Sequence, residues 1–173
     1  MKQKTLPRKM ILNTMRTNTL KQLKQTRRDC LAMVTRRAGL TAVVAVTPLP
    51  GAELGVDLAV MLEMIPEINR RFGLAPEQLA RLKPEQKTRI LLLILKSGST
   101  LIGKTITRRM LLTLLRKCGI KIGTKTIAKY VPIAGTLASA IMNFSMMKLI
   151  GEQHICDCYR VKRQAMSEKK PPA

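Results

Sequence analysis

The first candidate for chemistry is a glycine-rich segment in the middle of the chain, running from Gly98 to Gly103-Lys104-Thr105. Its spacing, G-x-x-x-x-G-K-T, is that of a phosphate-binding loop, in which backbone N–H groups surround the phosphates and the lysine reaches their terminal oxygens. Such a loop normally joins a strand to a helix, and a separate acidic residue completes the magnesium site. Here the neighbouring segments have helical patterns, and no later apolar run ends in an aspartate. The sequence therefore predicts a chance match over 98–105 and a protein that is not an enzyme.

A near-repeat of this segment gives its glycines a different interpretation. Residues 119–127, GIKIGTKTI, resemble residues 98–106, GSTLIGKTI. A small residue at every third or fourth position lets two helices approach closely. We therefore expect a helix-packing role for four glycines: Gly98, Gly103, Gly119 and Gly123.

The second candidate is a cluster of soft donors, His154, Cys156 and Cys158, in the sequence HICDC. A structural zinc site needs four ligands. On a helix, Cys156 would point away from the other two residues, so Cys30 or Cys118 would have to complete the site from elsewhere in the chain. The pattern favours small residues at a helix interface beside one exposed histidine. We predict neither a metal nor another cofactor.

The third candidate is an acidic stripe. Glu53, Asp57, Glu63 and Glu67 fall within about 120° of one another if residues 53–68 are helical. The stripe is either a solvated face or a set of acids paired with Arg and Lys of a neighbouring helix. If it is functional, it is a docking face for a basic partner, or its repulsion fixes which side of the protein faces anionic lipid. Catalysis by paired carboxylates needs a cleft and an opposed second group, which the sequence does not indicate. No catalytic residue is predicted.

The elements that must position these residues are helices. The 173-residue chain is 46% hydrophobic but only 2% aromatic, so its core must be built mainly from Leu, Ile, Val, Ala and Met. This is a helical composition, and no segment alternates with the period of a strand. The sequence predicts an all-α fold of helical hairpins packed as a bundle. It comprises a flexible basic arm over 1–20, a single helical domain over 21–165 and a disordered tail over 166–173.

Proline and glycine mark the expected helix ends. The first helix should end before Pro48, and the second should run from near Glu53 to a glycine cap at Gly73. Pro76 and Pro84 are expected in the first turns of the helices that follow. The turns of two apolar hairpins are assigned to Pro48, Pro50, Gly51, Pro132 and Gly135.

The net charge of +22 indicates attraction to a polyanion, either anionic lipid or nucleic acid. Residues 1–37 carry eleven Lys or Arg against one acid, residues 38–69 carry four acids and no Lys or Arg, and residues 70–173 carry twenty-one bases against five acids. Two Phe and two Tyr offer little for stacking on single-stranded nucleic acid, and no nucleic-acid-binding module is visible. A nucleic-acid-binding basic protein is therefore the alternative interpretation.

The cations mostly bracket apolar segments, which is typical of helices that lie on an anionic bilayer. Apolar hairpins at 38–65 and 130–150 would form the core or dip into the membrane. Residues 130–147 lack charge over eighteen positions, at the lower limit for a spanning helix, but Pro132 and Asn143 weaken that interpretation. A multispan topology is not expected. The residues predicted to contact the anionic membrane are Arg36, Arg37, Lys104, Arg108, Arg109, Arg116, Lys117 and Lys129.

The N-terminus is basic but lacks a continuous apolar segment, so export through a secretory signal is not expected. The four cysteines are therefore expected to be reduced thiols in a protein facing the cytosol. A basic, acid-poor N-terminus also resembles a mitochondrial transit peptide, which stays open. The expected location is the cytoplasmic side of a membrane.

Two segments carry a resemblance to a known family. The sequence YVPIAGTLASAIMNFSMMKLIGEQHICDCY, with its Pro132-x-x-Gly135 pattern, Asn143 and Gly151, resembles the C-terminal hairpin of the EcsC family and of the YcjF-type domains appended to bacterial GTPases. The sequence TPLPGAELGVDLAVMLEMIPEINRRFGL resembles the earlier half of the same families. The resemblance covers roughly residues 35–160. It implies an all-helical, membrane-associated domain linked to GTPases or transporters, and it implies no catalytic residues.

Together these patterns predict a non-enzymatic, membrane-associated helical protein. It would dock on or dip into an anionic membrane surface and work with a protein partner, which the resemblance suggests is a GTPase or a transporter. A membrane-disrupting or pore-forming protein is a further alternative, because apolar hairpins with basic flanks also suit that activity.

Overall fold

The structure of the protein is a computed structural model, which describes residues 8–45, 52–117 and 134–167. Every regular element within these ranges is a helix, so the predicted all-α bundle is confirmed. The most extensive contact between elements joins the first and last helices. The helices are α1 (Arg8–Ala45), α2 (Ala52–Arg71), α3 (Pro76–Ala80), α4 (Pro84–Ser97), α5 (Arg108–Lys117) and α6 (Ala134–Ser167).

Helix α1 begins at Arg8, well before the start expected near Lys21. The backbone over 8–20 is therefore helical, which differs from the predicted arm, while residues 1–7 lie outside the described residues. The physical reason is that no proline or glycine interrupts the sequence between Arg8 and Ala38, so nothing breaks the helix. Its buried side chains recur at helical spacing: Leu23, Cys30, Met33, Val34 and Ala38.

Gly151 sets the distance between α1 and α6. A Cβ atom built on Gly151 would lie 2.7 Å from Cγ1 of Val34 and 3.3 Å from Cε of Met64. Only a residue without a side chain fits between these neighbours. The same helix pair is joined further along by Arg27, whose guanidinium lies 5.3 Å from the centre of the Tyr159 ring.

The predicted cap at Gly73 is confirmed. Gly73 has a φ of 66°, which suits a residue without a Cβ. The Leu74 N–H donates to the Asn69 carbonyl at 2.8 Å, and the Gly73 N–H donates to the Arg70 carbonyl at 3.0 Å. This pair of hydrogen bonds is the Schellman motif. The chain then turns so that Phe72 and Leu74 enter the core.

The first-turn positions of Pro76 and Pro84 are also confirmed, since each is the first residue of its helix. Four predicted turn residues, Pro48, Pro50, Gly51 and Pro132, lie outside the described residues.

The second predicted hairpin turn is wrong at Gly135, which is the second residue of α6. Helix α6 continues without a break from Ala134 to Ser167, so residues 134–150 form a helix and not a hairpin. No proline follows Pro132 until the C-terminal tail, so the sequence allows this length. Among the described helices, none has the length and apolar character needed to span a membrane.

Two glycines allow a matched test of the close contact between α1 and α6. Gly151→Ala and Gly39→Ala both replace a glycine within a helix, which raises helix propensity by up to about 1 kcal/mol. A Cβ at Gly39 meets nothing within 4 Å, whereas a Cβ at Gly151 meets Val34, and overpacking typically costs about 1–3 kcal/mol. We expect urea unfolding to show that Gly39→Ala stabilises the protein and Gly151→Ala destabilises it. A gain in stability from both variants would contradict the contact.

Candidate functional site

A buried polar node joins three parts of the fold: helix α2, helix α6 and the loop that follows α4. It consists of Asn69 of α2, Leu101 of the loop, and His154 and Cys158 of α6. The side chains of Asn69 and His154 are buried, with 0% and 2% of their surface exposed. Asn69 Nδ2 donates to the Leu101 carbonyl at 3.0 Å. Asn69 Oδ1 lies 3.1 Å from His154 Nε2 and 3.6 Å from Cys158 Sγ. One amide thus holds three parts of the fold together.

The orientation of the Asn69 amide fixes the proton on His154. Because Nδ2 faces a carbonyl and donates to it, Oδ1 must accept hydrogen bonds from His154 and Cys158. His154 Nε2 therefore carries the proton, and the thiol of Cys158 is a second donor. His154 Nδ1 has no hydrogen-bond partner among the described residues.

The node is uncharged at neutral pH. Burial lowers the pKa of His154 from 6.5 to about 4. Burial also raises the pKa of the Cys158 thiol, with further contributions from Asp157 and Cys30. A neutral imidazole and a protonated, buried thiol are neither a strong base nor a nucleophile. The arrangement therefore holds the fold together and offers no nucleophile.

The expectation of an exposed histidine in HICDC is wrong, whereas the outward direction of Cys156 is confirmed. His154 and Cys158 are one helical turn apart and share the face of α6 that meets Asn69, so both are buried. Cys156 is half-buried, and Arg160 Nη2 lies 4.0 Å from its sulfur. The described residues contain no cluster of three or more His, Cys, Asp or Glu side chains that is arranged to hold a metal ion.

The segment that resembles a phosphate-binding loop has a different geometry. A helix, α4, precedes it, and α5 begins only at Arg108, three residues after Thr105. Its central residues Leu101 and Ile102 are buried in the core, and the Leu101 carbonyl is engaged by Asn69. A phosphate loop needs its central backbone N–H groups free to surround an anion. This geometry supports the prediction of a chance match.

The expected helix-packing role is wrong for Gly98 and Gly103. Gly98 ends α4 with a φ of 70°, and Gly103 has the same φ within the loop. A Cβ on Gly103 would also lie 2.7 Å from Cδ1 of Leu79. Both glycines are required by the conformation of the turn. Gly119 and Gly123 lie outside the described residues.

The four acids predicted as a docking face differ in how exposed they are and in whether they already form ion pairs within the protein. Glu67 lies 2.9 Å from Arg70 Nη1 and 2.7 Å from Arg71 Nε, so its carboxylate is already paired within α2. Glu63 lies 3.8 Å from Arg37 Nη1 of α1 and is largely exposed. Asp57 is half-buried, and nothing is described of the Glu53 side chain. The stripe therefore contributes partly to the contact between α1 and α2.

Most of the described cations predicted to contact a membrane are exposed, but Arg37 is an exception. Arg37 is half-buried and faces Glu63 of α2. Lys129 and the side chain of Lys117 are outside the part of the chain described. On α5, three arginines span about 100° of the helix surface, on the side adjacent to the one that buries Leu111 and Leu115. The exposed predicted cations are Arg36, Lys104, Arg108, Arg109 and Arg116.

Sequence reasoning missed an apolar outer face on α4. Leu91, Leu92 and Leu95 are 46%, 54% and 78% exposed, and they span about 100° of the helix surface. The opposite side of α4 supplies three core residues: Ile90, Leu93 and Ile94. The sequence signal was present in the run ILLLIL, because a surface helix needs apolar residues on only one side. We call Leu91, Leu92 and Leu95 the leucine face.

Cations flank the leucine face on both sides. At 100° per residue, Lys87 lies on one edge of the face, and Lys96 and Arg89 lie on the other. All three are exposed. Apolar side chains with cations at both edges are typical of a helix that lies in the plane of a membrane surface.

Comparison of the chain with protein-family models, with curated proteins and with solved structures gives no match. The resemblance to the EcsC family therefore stays a prediction.

The neutral histidine of the polar node predicts a pH dependence. The unfolded chain takes up a proton at His154 at a higher pH than the folded protein, whose histidine has a pKa of about 4. The free energy of unfolding should therefore fall, by at most about 3 kcal/mol, as the pH is lowered from about 6.5 to about 4, and this contribution should change no further below that pH. Urea unfolding across this range measures the effect.

His154→Gln is the matched control for this prediction. The glutamine amide keeps a donor for Asn69 but does not titrate, so the difference between the two proteins isolates His154 from Asp157, whose pKa burial raises. An identical loss of stability in both proteins would contradict the assignment.

The loop geometry predicts no specific nucleotide binding. We expect ATP and GTP, each with magnesium, to bind no more tightly to the wild-type protein than to Lys104→Ala when calorimetry is performed at physiological ionic strength. Lys104 is exposed and far outnumbered by other cations, so its removal should change any binding only slightly. Saturable binding that Lys104→Ala abolishes would restore the enzyme interpretation.

Proposed function

We propose that the protein docks on an anionic membrane surface without spanning it, and that α4 and α5 form the docking surface. The observation that carries this proposal is the leucine face, with Leu95 78% exposed, flanked by exposed cations. In water such a cluster is unfavourable, and exposed apolar groups of this kind mark sites of association with a protein or a membrane.

The charge of the sequence that contains the leucine face favours an anionic bilayer as the partner. The 66 residues from 86 to 151 contain twelve Lys or Arg and no Asp or Glu. This block includes all of α5, whose outer side carries Arg108, Arg109 and Arg116. Cations near a negatively charged membrane contribute up to about 1 kcal/mol each, and the leucines add the burial of apolar surface. Nucleic acid would use the cations but would leave the leucines in water.

In a cell the docked protein would lie on the cytoplasmic side of a membrane and act as a non-enzymatic component alongside a protein partner. The resemblance to domains linked with GTPases and transporters supports this part of the proposal. Glu63, which remains largely exposed on α2, is the described member of the acidic stripe best placed to meet a basic partner.

Flotation with liposomes tests the role of the leucine face. The wild-type protein should float with vesicles containing anionic lipid, float less at high salt, and be released by alkaline carbonate because it lies on the surface. Replacing Leu91, Leu92 and Leu95 together with serine should abolish flotation. The fold should survive, because these side chains are exposed and contribute little to the core.

The matched control replaces three exposed apolar residues elsewhere, Leu20, Leu40 and Ile141, with serine. This variant should float like the wild type. The proposal would be contradicted if both variants lost flotation equally, or if the variant with serine at positions 91, 92 and 95 floated as well as the wild type. Failure to float combined with tight, salt-dependent binding to DNA or RNA would instead favour the nucleic-acid interpretation.

The arginines of α5 make a second, independent prediction. Replacing Arg108, Arg109 and Arg116 with glutamine should weaken binding to anionic vesicles by roughly fivefold per arginine at low salt, and by less at high salt. Binding to neutral vesicles should not change. Vesicle co-sedimentation over a range of lipid concentrations measures the affinity, and an effect that is independent of salt would contradict a surface electrostatic role.

A further inference from the structure

A half-open cavity of about 360 Å³ lies where the loop after α4 meets α5 and α6. Its volume is at the lower end of the range of about 300–1,000 Å³ for small-molecule sites. The lining is mainly apolar and includes Leu101, Leu114, Leu149 and Ile150. The polar node forms part of the wall through His154.

The cavity begins at the C-terminal end of α4, the helix that carries the leucine face. Gly98 lines the cavity and follows α4 directly, only three residues after the exposed Leu95. Leu149, which also lines the cavity, is 61% exposed. An exposed apolar side chain therefore stands at the cavity wall itself, while the leucine face lies earlier on the helix that leads to the cavity.

Two of the polar side chains that line the cavity, Gln153 and Asp157, are paired with each other. Gln153 Nε2 donates to Asp157 Oδ1 at 3.3 Å, and Arg160 Nη1 lies 3.9 Å from the same carboxylate oxygen. The proton on His154 Nε2 is committed to Asn69. The cavity thus presents no unpaired cation for an anionic headgroup, and the Asp157 carboxylate opposes one.

We propose that this cavity binds a single alkyl chain with an uncharged polar end. The volume has room for about twelve groups the size of a water molecule, which corresponds to a chain of medium length. The chain could come from a free amphiphile or from a lipid of the bilayer. The second source rests on the proposed membrane docking, whereas binding of a free chain depends on the cavity alone.

A series of straight-chain 1-alkanols, without any membrane, tests the cavity directly. NMR of ¹³C-labelled methyl groups should show saturable shifts at Leu114, Leu149 and Ile150. The affinity should rise about fourfold per added methylene and then level off at roughly twelve carbons, when the cavity is full. Affinity that keeps rising with chain length, or equal shifts on the leucine face, would show surface adsorption and overturn the proposal.

Two tryptophan variants provide the blocking test and its control. Leu114→Trp should fill the cavity and weaken alkanol binding at least tenfold, whereas Leu91→Trp, on the leucine face outside the cavity lining, should bind alkanols as the wild type does. If Leu114→Trp does not fold, Leu149→Trp replaces it, because Leu149 is largely exposed. Unchanged binding in a folded blocking variant would overturn the proposal.

The variant with serine at positions 91, 92 and 95 separates this inference from the proposed function. It should lose flotation and keep alkanol binding. Vesicles with a spin label in the lipid acyl chain identify the source of the ligand, since a lipid chain in the cavity should broaden the Leu114 and Ile150 methyl signals more than the methyl signals of the leucine face, whereas docking alone should broaden the leucine face more. Alkanol binding without such broadening supports the site and assigns it to a free amphiphile. If the protein neither binds alkanols nor shows this broadening, the proposed site is overturned, whether or not the protein floats with vesicles.

Discussion

The hydrogen-bonding demand of one buried amide, that of Asn69, constrains the central part of the fold. A buried donor or acceptor left without a partner costs about 1–3 kcal/mol, and Asn69 meets this demand with Leu101, His154 and Cys158. These partners belong to the loop after α4 and to α6. The loop is thereby drawn inward at Leu101 and Ile102, and Gly98 and Gly103 adopt left-handed conformations that permit its turns.

The packing of α4 against α6 determines which side of α4 remains in water. Ile90, Leu93 and Ile94 pack into the core, and the leucine face is left on the opposite side of a helix with few polar residues after Arg89. The cavity opens at the end of the same helix. The features that support membrane docking and alkyl-chain binding thus lie on α4 and at the loop that follows it. Cations on both edges of α4 and on the outer side of α5 give this surface an affinity for negative charge.

The sequence allowed prediction of features that depend on local chemistry. The all-α class follows from the apolar composition, and the ends at Gly73, Pro76 and Pro84 follow from backbone geometry. The node could not be predicted, because Asn69 and His154 are 85 residues apart and a polar residue at such a position fits an exposed site equally well. The leucine face was missed for a related reason. A run such as ILLLIL supplies more apolar residues than one helix face can bury, and periodicity alone does not say which of them remain exposed.

The measurement that most directly tests membrane docking by the leucine face is the depth of single tryptophans, since the natural chain contains none. Leu95→Trp would report from the leucine face, and Thr35→Trp from the exposed side of α1. With anionic vesicles whose acyl chains carry bromine, membrane docking by α4 predicts strong quenching of the tryptophan at position 95 and little at position 35. Equal quenching at both positions, or none at position 95 in protein that is bound to the vesicles, would contradict it.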